Sequence, residues 1–590
     1  ALAAVVGAEH VRLAHADRAL HSQDVYRSGV LAGAVVAPAT AAEVARVLSL
    51  ATGAGLAVFV RGGGMSYTDA YLPDRAASLV LDLGRLRRIR EIAADDLYAT
   101  VEAGCTWAEL DAALAPLGLR SRFWGPMSGK RATIGGAMSQ GAVTFGSGRH
   151  GPSGANALGF EIALPDGRLL HTGVDAQPNH APFFRHYGPD LTGLFAADAG
   201  ALGVKTAVTL QLEPRPACGD GLTFAFADFG GLQAAVAAVA RAGLATEVFG
   251  AETALLKLVA GGQGLRQDLR ALLAAGRAQG GLRGAAQMAR IAWHGRRFLD
   301  ASRYTVSFLT EAGSRARLRG ALDDLRAAVA PHGVEIANTM AAVTRAMPFP
   351  DPMVLGPGGR RLLPLHAILP HSRVRAFHAD YERLLAGAAE SLAAHRILVF
   401  VVYASVGPGA FLHEPVIYWE DEWPALHRAT MPEPLLAQLR EPPANPAARE
   451  RVESLRRELV DLMFRHGAAH LQIGRAYPYA REREAGALEL LRTVKAAVDP
   501  VREQREHLDG IDRLRQVPVE AGRERGLPVL LLAPARQGEE PDPRVPALPA
   551  QALRHLVTVD ARHADVEQRV VGPPVRAARE GRRTVVDHSH

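Results

Sequence analysis

The feature that most constrains this chain is a turn of three consecutive glycines placed directly after a buried strand. Residues 56–60 are all apolar and predict a short strand, and Arg-Gly-Gly-Gly-Met-Ser-Tyr-Thr follows at residues 61–68. Glycine permits positive φ and leaves the backbone N–H groups bare. Such a turn forms a concavity for an anion, most often a phosphate. Glycine clusters after strands are also ordinary tight turns, so this turn alone leaves both interpretations open.

Further glycine-rich stretches follow this turn in a fixed order. They read Pro-Met-Ser at 126–128, Ala-Thr-Ile-Gly-Gly-Ala-Met-Ser-Gln-Gly at 132–141, Gly-Ser-Gly-Arg-His-Gly at 146–151, Asp-Leu-Thr-Gly-Leu-Phe at 190–195 and Gly-Ala-Leu-Gly-Val at 200–204. Taken together, the stretches resemble the flavin-binding half of the vanillyl-alcohol-oxidase and p-cresol-methylhydroxylase (PCMH) superfamily. The resemblance covers residues 36–214 well and residues 249–500 loosely. It implies an FAD-linked oxidoreductase.

The resemblance also implies which residues contact the FAD. The first loop supplies N–H donors to the pyrophosphate, and the later stretches form a slot for the isoalloxazine ring, where glycine lets the backbone pass close to the cofactor. The expected cofactor-binding residues are Arg61, Gly62, Gly63, Gly64, Met65, Ser66, Tyr67, Pro126, Thr133, Ile134, Gly135, Gly136, Ser139, Gln140, Gly146, Gly148, Gly151, Gly203 and Val204.

Two residues, Met65 and His150, bear on whether FAD is bound covalently, and one absent motif bears on which cofactor is bound. Many relatives bind FAD covalently through a histidine in the first loop, where this chain has Met65, so we expect non-covalent FAD. His150 is interpreted as a polar loop residue, because dual attachment also needs a well-placed cysteine. No strand–GxGxxG–helix pattern with a following acidic residue is present in the first unit, so a nicotinamide cofactor is not implied.

The element pattern predicts an α+β protein. Residues 1–215 are expected to form a PCMH-type FAD-binding domain of two α/β subdomains, including a helix that Thr40 and Glu43 begin with a capping box. Strands alternating with helices over residues 216–500 predict an antiparallel-sheet substrate (cap) domain whose last part returns toward the FAD domain. Residues 263–297 are interpreted as a mobile insertion or a weakly packed helical pair. Residues 501–590, rich in Arg, Glu and Pro, are expected to be a low-order tail.

Composition excludes several other classes of protein. The net charge is +6, but the cations are spread out and do not form a dense run with aromatic residues, which disfavours nucleic-acid binding. Cys105 and Cys218 are the only cysteines, which suits a reducing, cytoplasmic compartment and gives no zinc or disulfide pattern; Cys105 is expected to be a small packed residue. No apolar run reaches the length of a membrane span.

The candidate substrate-side residues lie near the end of the cap. Residues 466–479 predict a strand that runs into a polar turn, and in the superfamily an Arg and a Tyr from this region often face the flavin. Arg475 is expected either to hold a substrate carboxylate or to stabilise negative charge, and Tyr477 to orient or deprotonate a hydroxyl. A structural ion pair and a core aromatic are the alternatives. His366, on an expected cap strand, is a further candidate base, and residues 413–419 pair polar and aromatic groups.

These residues predict an FAD-dependent enzyme that takes hydride from an alcohol, a 2-hydroxy acid or a para-substituted phenol. The metal-binding His-rich motif and the later Glu-His-Gly of relatives that oxidise 2-hydroxy acids are missing, so no metal is expected. The expected partners are a small-molecule substrate and either dioxygen or an electron-acceptor protein, with a homodimer left open. Two alternatives are an electron-relay subunit without catalysis and an NADPH-dependent reductase of the UDP-N-acetylenolpyruvylglucosamine type.

Overall fold

The computed structural model describes residues 1–178, 180–262, 302–338, 342, 345, 348–351, 354–481 and 483–499. The expectations for residues 263–297 and for the tail 501–590 lie outside the described residues. Three sheets account for the named strands, and they follow one another along the chain.

The first sheet lies in the amino-terminal part of the chain and holds the strand before the glycine turn. Its elements are β1 (Val11–Arg12), β2 (Ala34–Val36), β3 (Ala57–Arg61) and β4 (Ser78–Asp82), with helices α1 (Leu2–Val6), α2 (His15–His21) and α3 (Ala41–Gly53). The strand order is β1-β2-β4-β3, and β2, β4 and β3 run parallel. Thr40 caps α3 by accepting the N–H of Glu43. The Glu43 carboxylate accepts from the N–H of Ala39, not Thr40, so the predicted capping box forms on one side only.

The second sheet is antiparallel and carries the later glycine-rich stretches in its connections. Its elements are β5 (Ile89–Ala93), β6 (Tyr98–Glu102), β7 (Leu119–Ser121), β8 (Ala157–Ala163), β9 (Leu169–His171) and β10 (Val204–Pro214), with helices α4 (Trp107–Leu114), α5 (Ile134–Gln140), α6 (Ser147–His150) and α7 (Leu191–Phe195). The strand order is β5-β6-β10-β8-β9, and β7 also pairs with β10. A hairpin joins β8 to β9, and Gly167 lies in its turn with a φ of 91°. Cys105 is fully buried, as predicted.

The third sheet is the predicted antiparallel cap. Its elements are β11 (Cys218–Phe226), β12 (Glu247–Glu252), β13 (Tyr304–Ala312), β14 (Val334–Ile336), β15 (Arg361–Pro364), β16 (Ala367–Pro370), β17 (Leu398–Val406) and β18 (Ala410–Trp419), with helices α8 (Phe229–Ala242), α9 (Thr253–Gly262), α10 (Arg315–Val329), α11 (Val374–Ala394), α12 (Ala425–Thr430), α13 (Glu433–Leu436) and α14 (Pro446–Arg465). Each strand pair is antiparallel. Helices α8, α10, α11 and α14 pack on one face over the largest apolar core, and α9 packs on the other face.

After α14 the chain returns to the first two sheets. The strand predicted for residues 466–479 is wrong: the segment consists of turns, with one isolated bridge between Ala469 and Ile368. Gln472 and the glycines at 467 and 474 have positive φ, which an extended strand does not allow. The last described helix, α15 (Ala485–Val498), packs Val494 and Val498 against the core of the second sheet.

Candidate functional site

The glycine-rich stretches converge on one cavity at the ends of the first two sheets. Its volume is about 870 Å³ when the space is counted out to its open mouth. Most of the expected cofactor-binding residues line it, namely Gly62, Gly63, Gly64, Met65, Ser66, Pro126, Thr133, Gly135, Gly136, Ser139, Gln140, Gly203 and Val204. Residues separated by more than 140 positions in the sequence therefore share one wall.

The other expected cofactor-binding residues lie outside this lining. Arg61 is buried behind the first loop, and Ile134 is fully buried in the core of the second sheet. The stretch with Gly146, Gly148 and Gly151 packs against the cap instead. A Cβ on Gly148 would stand 2.7 Å from the carbonyl oxygen of Thr246, so this glycine serves a close backbone contact with the cap.

The first loop carries unused hydrogen-bond donors. Among the described residues, no protein acceptor receives the N–H groups of residues 62–66. Gly64, in the middle of this run, has a φ of 72°, the left-handed conformation that turns successive N–H groups toward one side. Because bare N–H groups at a cavity wall need an acceptor, this loop fits the pyrophosphate of FAD.

Two glycines of the first loop are required by a close approach to the next one. A Cβ on Gly63 would stand 1.8 Å from the carbonyl oxygen of Arg131, and one on Gly62 would stand 2.3 Å from Oγ1 of Thr133. Thr133 also caps α5 by accepting the N–H of Gly136 at 3.3 Å. Because Gly62 and Gly63 have no side chains, the start of α5 can pack directly against the first loop.

The electrostatics of the loop favour a negatively charged ligand. Arg61 is 7% exposed, lies with its guanidinium 5.9 Å from the centre of the Tyr71 ring, and has no acidic side chain within 4.0 Å in the described part of the chain. Burial, together with repulsion from Arg61, lowers the pKa of Arg131. An anion held by the loop would offset the burial of the Arg61 guanidinium group.

A hydrogen-bond chain leads from this cavity into the cap. Gln472 lines the cavity, and its Nε2 donates to the hydroxyl of Tyr67 at 3.1 Å. The Tyr67 hydroxyl lies 2.8 Å from Nε2 of His366. Burial lowers the pKa of His366 to about 3, so its ring is neutral near pH 7. A neutral imidazole has one donor and one acceptor nitrogen, and we take Nε2 as the acceptor because Gln472 already donates to the Tyr67 hydroxyl, which leaves the Tyr67 proton for His366.

A carboxyl group lies at the cap end of this chain. Oε1 of Glu414, on β18, is 4.0 Å from Nε2 of His366, and the Glu414 side chain is 20% exposed. Within the described ranges the Glu414 carboxyl group accepts no hydrogen bond. Burial raises the pKa of Glu414 to about 7. Burial likewise raises the pKa of Tyr67 well above its ordinary value, so Tyr67 stays a neutral phenol.

The three predicted catalytic residues separate into two places. His366 and Tyr477 lie together, because the backbone N–H of His366 donates to the Tyr477 hydroxyl at 2.7 Å. The Tyr477 ring also stacks on the His470 ring, with ring centres 4.0 Å apart. Arg475 lies apart from them, with Nη2 donating to the carbonyl of Leu72 at 2.9 Å and Nη1 3.5 Å from Asp74. Its own N–H donates to Thr68 at 2.8 Å.

Sequence reasoning overlooked two residues at this site. Gln472 lies in the stretch 466–479, where the nearby Arg475 and Tyr477 carry more distinctive chemistry than an amide side chain. Glu414 stood inside the quoted stretch 413–419. Its signal is a single carboxylate in a strand whose other residues, apart from His413, are apolar or aromatic; a carboxylate is rare in a buried position unless the group is paired or functional.

Two further predictions concern metals and membranes. In the described part of the chain, no group of three His, Cys, Asp or Glu side chains is arranged to hold a metal ion. No described helix is both long and apolar enough to cross a membrane.

Sequence comparisons match part of the chain. Residues 32–173 match the family described as an FAD binding domain. The chain is 32% identical over 216 residues to an uncharacterized FAD-linked oxidoreductase of Mycobacterium tuberculosis, and 29% identical over 217 residues to glycolate oxidase subunit GlcD of Bacillus subtilis. Each match covers 36% of this chain and 44% of the relative. The chain thus spans less than half the length of these curated relatives.

Structural comparison extends over most of the chain. The fold matches a crystal structure of p-cresol methylhydroxylase with substrate bound at a TM-score of 0.63 and 16% identity, over 85% of this chain and 93% of that one. At this identity the likeness concerns the fold. The predicted α+β architecture, the predicted resemblance and FAD as the cofactor are confirmed by these matches together.

Proposed function

Because this chain carries an FAD-binding domain of the PCMH-type superfamily, we propose that it is an FAD-dependent oxidoreductase acting on a carbon that bears, or is activated by, a hydroxyl group. FAD, when bound, supplies the hydride acceptor at N5. The names of two similar proteins support this substrate class, since glycolate is a 2-hydroxy acid and p-cresol is a para-substituted phenol. The electron acceptor in this proposal is dioxygen or an acceptor protein.

The observation that carries the proposal is the hydrogen-bond chain from the cofactor cavity into the cap. Gln472 contributes to the cavity wall and holds the Tyr67 hydroxyl, which His366 fixes from the other side. A relay of fixed polar groups beside a cofactor cavity is what orientation of a substrate hydroxyl requires. In this proposal the substrate binds alongside this chain, within reach of both Gln472 and Glu414.

We assign the proton-accepting role to Glu414. A base that takes the hydroxyl proton is most effective when its pKa is near the working pH, and the pKa of Glu414 is raised to about 7 by burial. His366 is a weaker base, because burial lowers its pKa to about 3 and Tyr67 occupies its Nε2. Tyr477 then acts as a positioning residue behind His366, and Arg475 as a positioning residue for the loop after Tyr67.

Anaerobic reduction of the bound flavin tests the function. A panel of alcohols, 2-hydroxy acids and para-substituted phenols is mixed with the purified protein, and bleaching of the flavin absorbance is followed. We expect bleaching by one class, and a slowing of roughly 10²- to 10⁴-fold in Glu414→Gln with unchanged FAD content. Glu433→Gln, in the short helix α13 of the cap, is the matched control and leaves the rate unchanged.

The other outcomes distinguish the alternatives. Bleaching by no member of the panel would favour an electron-relay subunit, and rapid bleaching by NADPH alone would favour a reductase. We also propose that FAD is held non-covalently, because Met65 offers no nitrogen for a bond to the flavin. Acid precipitation then releases the yellow colour into the supernatant, and colour that stays with the pellet contradicts this part of the proposal.

A further inference from the structure

A buried lysine on the wall of the cofactor cavity has hydrogen-bond donors to spare. Lys205 lines the cavity beside Val204, and its side chain is only 1% exposed. Its Nζ donates to Oδ1 of Asp198 at 2.7 Å and lies 5.6 Å from the centre of the Phe160 ring. An ammonium group has three N–H donors. In the described part of the chain, Asp198 is its only hydrogen-bond acceptor.

The backbone around Lys205 is built to hold this side chain in place. The pairing of β10 with β8 shifts register between Lys205 and Ala207, which indicates a β-bulge; bulges beside functional sites re-aim a side chain. Asp198 is itself fixed, because it accepts the N–H groups of Gly200 at 2.9 Å and Leu202 at 3.3 Å. The carboxylate therefore binds the turn and orients the ammonium at the same time.

From this geometry we propose that Lys205 is a cofactor-binding residue that donates hydrogen bonds to the adenosine diphosphate half of FAD. A buried ammonium with unsatisfied donors needs further acceptors, and the cavity is where they are available. Val204 shares a buried core cluster with Leu83, which follows β4, and both residues line the cavity with Lys205, so Lys205 lies where the parallel strands of the first sheet end. Ligands of such sheets bind outside the carboxyl ends of the strands. This inference concerns binding alone and does not depend on the proposed reaction.

Titration of FAD into the apoprotein, followed by quenching of flavin fluorescence, tests the assignment. Lys205→Met is expected to weaken FAD binding roughly 10- to 100-fold, the range for a hydrogen bond from a charged group. Because Lys205→Met leaves Asp198 as an unpaired buried charge and threatens folding, the Asp198→Asn, Lys205→Met double variant is measured beside it. The asparagine amide in that variant would keep an acceptor for the turn without the charge.

A matched control separates cofactor contact from support of the turn. Lys495 donates to the carbonyl of Ala201 at 2.8 Å in the same turn but does not line the cavity, so Lys495→Met is expected to keep FAD affinity within about twofold. Competition by ADP should weaken in the Lys205 variants while binding of FMN stays unchanged. FAD affinity within twofold of the wild type in the double variant, or an equal loss for FMN and ADP, would overturn the proposal.

Discussion

At the scale of single residues, the cofactor cavity depends on side chains that are small or missing. Gly63 lets the first loop touch the backbone at Arg131, and Gly135 lets α5 approach Ala103 so closely that a Cβ would stand 2.5 Å from the alanine methyl group. These contacts bring the bare N–H groups of residues 62–66 and the start of α5 to one cavity. The shape of the site is thus set by backbone approach, which a single added methyl group disturbs.

We expect Gly63→Ala to weaken FAD binding by roughly tenfold or more, because overpacking at a rigid contact forces the backbone to shift. The added Cβ would stand 1.8 Å from a carbonyl oxygen, which cannot rotate away as a flexible side chain does. The dissociation constant for FAD and the flavin-to-protein ratio measure the effect. Gly53→Ala is the control, since its Cβ meets nothing within 4 Å at the end of α3. Equal FAD affinity in the two variants would contradict the role given to Gly63.

At the scale of elements, local signals predicted most helices and strands but not the contacts that build the site. The capping box of Thr106 and Glu109 and the turn at Gly167 depend on residues a few positions apart, so each needs only local sequence to form. Tyr67 and His366 are 299 residues apart, so only the packing of the cap on the FAD-binding half brings them together. Glu414 carries a local signal as the one carboxylate of β18, but no local pattern shows that it lies beside His366.

One arginine joins the second sheet to the cap. Arg120 in β7 is 7% exposed, and its guanidinium bonds Glu213 of β10 at 2.9 Å and Glu311 of β13 at 2.6 Å. Removing one partner of a buried ion pair leaves an uncompensated charge, so Arg120→Met is expected to lower the free energy of unfolding by roughly 3–5 kcal/mol. Urea denaturation followed by circular dichroism measures this loss.

An exposed ion pair provides the comparison for Arg120. Arg168 bonds Asp166 at 2.6 Å in the hairpin turn, but its side chain is 64% exposed, so Arg168→Met should change the free energy of unfolding by less than about 1 kcal/mol. The Glu311→Gln, Arg120→Met double variant should be more stable than Arg120→Met alone, because it removes one of the buried carboxylates that the single variant leaves unpaired. A loss for Arg120→Met no larger than that for Arg168→Met would show that the junction does not depend on this pair.

At the scale of the whole molecule, the carboxyl groups divide into two sets with opposite pH behaviour. Burial acts to raise the pKa of Asp421, but hydrogen bonds from Arg449 and the N–H of Asn445 outweigh it and lower the pKa. Burial, with repulsion from Asp69 second, raises the pKa of Asp24 to about 7, and burial raises that of Glu252 to about 7. A carboxyl group with a lowered pKa, such as Asp421, stabilises the fold above its unfolded pKa, and this stabilisation is lost on acidification. A carboxyl group with a raised pKa, such as Asp24, stabilises the fold at low pH, and this stabilisation is lost as the pH rises.

The second set predicts a loss of stability between pH 5 and pH 8. A carboxyl with a raised pKa holds its proton more tightly in the folded chain, so its contribution is full below the unfolded value near 4 and disappears as the pH rises through about 7. The free energy of unfolding in urea should therefore fall by roughly 1–4 kcal/mol across this window. Asp24→Asn, which has no carboxyl to ionise, should flatten the curve, whereas Asp324→Asn on the exposed side of α10 should leave it unchanged. A free energy of unfolding that rises from pH 5 to pH 8, or one that Asp24→Asn does not alter, would contradict this prediction. Either result would mean that Asp24 is ionised in the folded protein. Arg27, which bonds Asp69 at 2.8 Å, would then offset the charges of both Asp24 and Asp69.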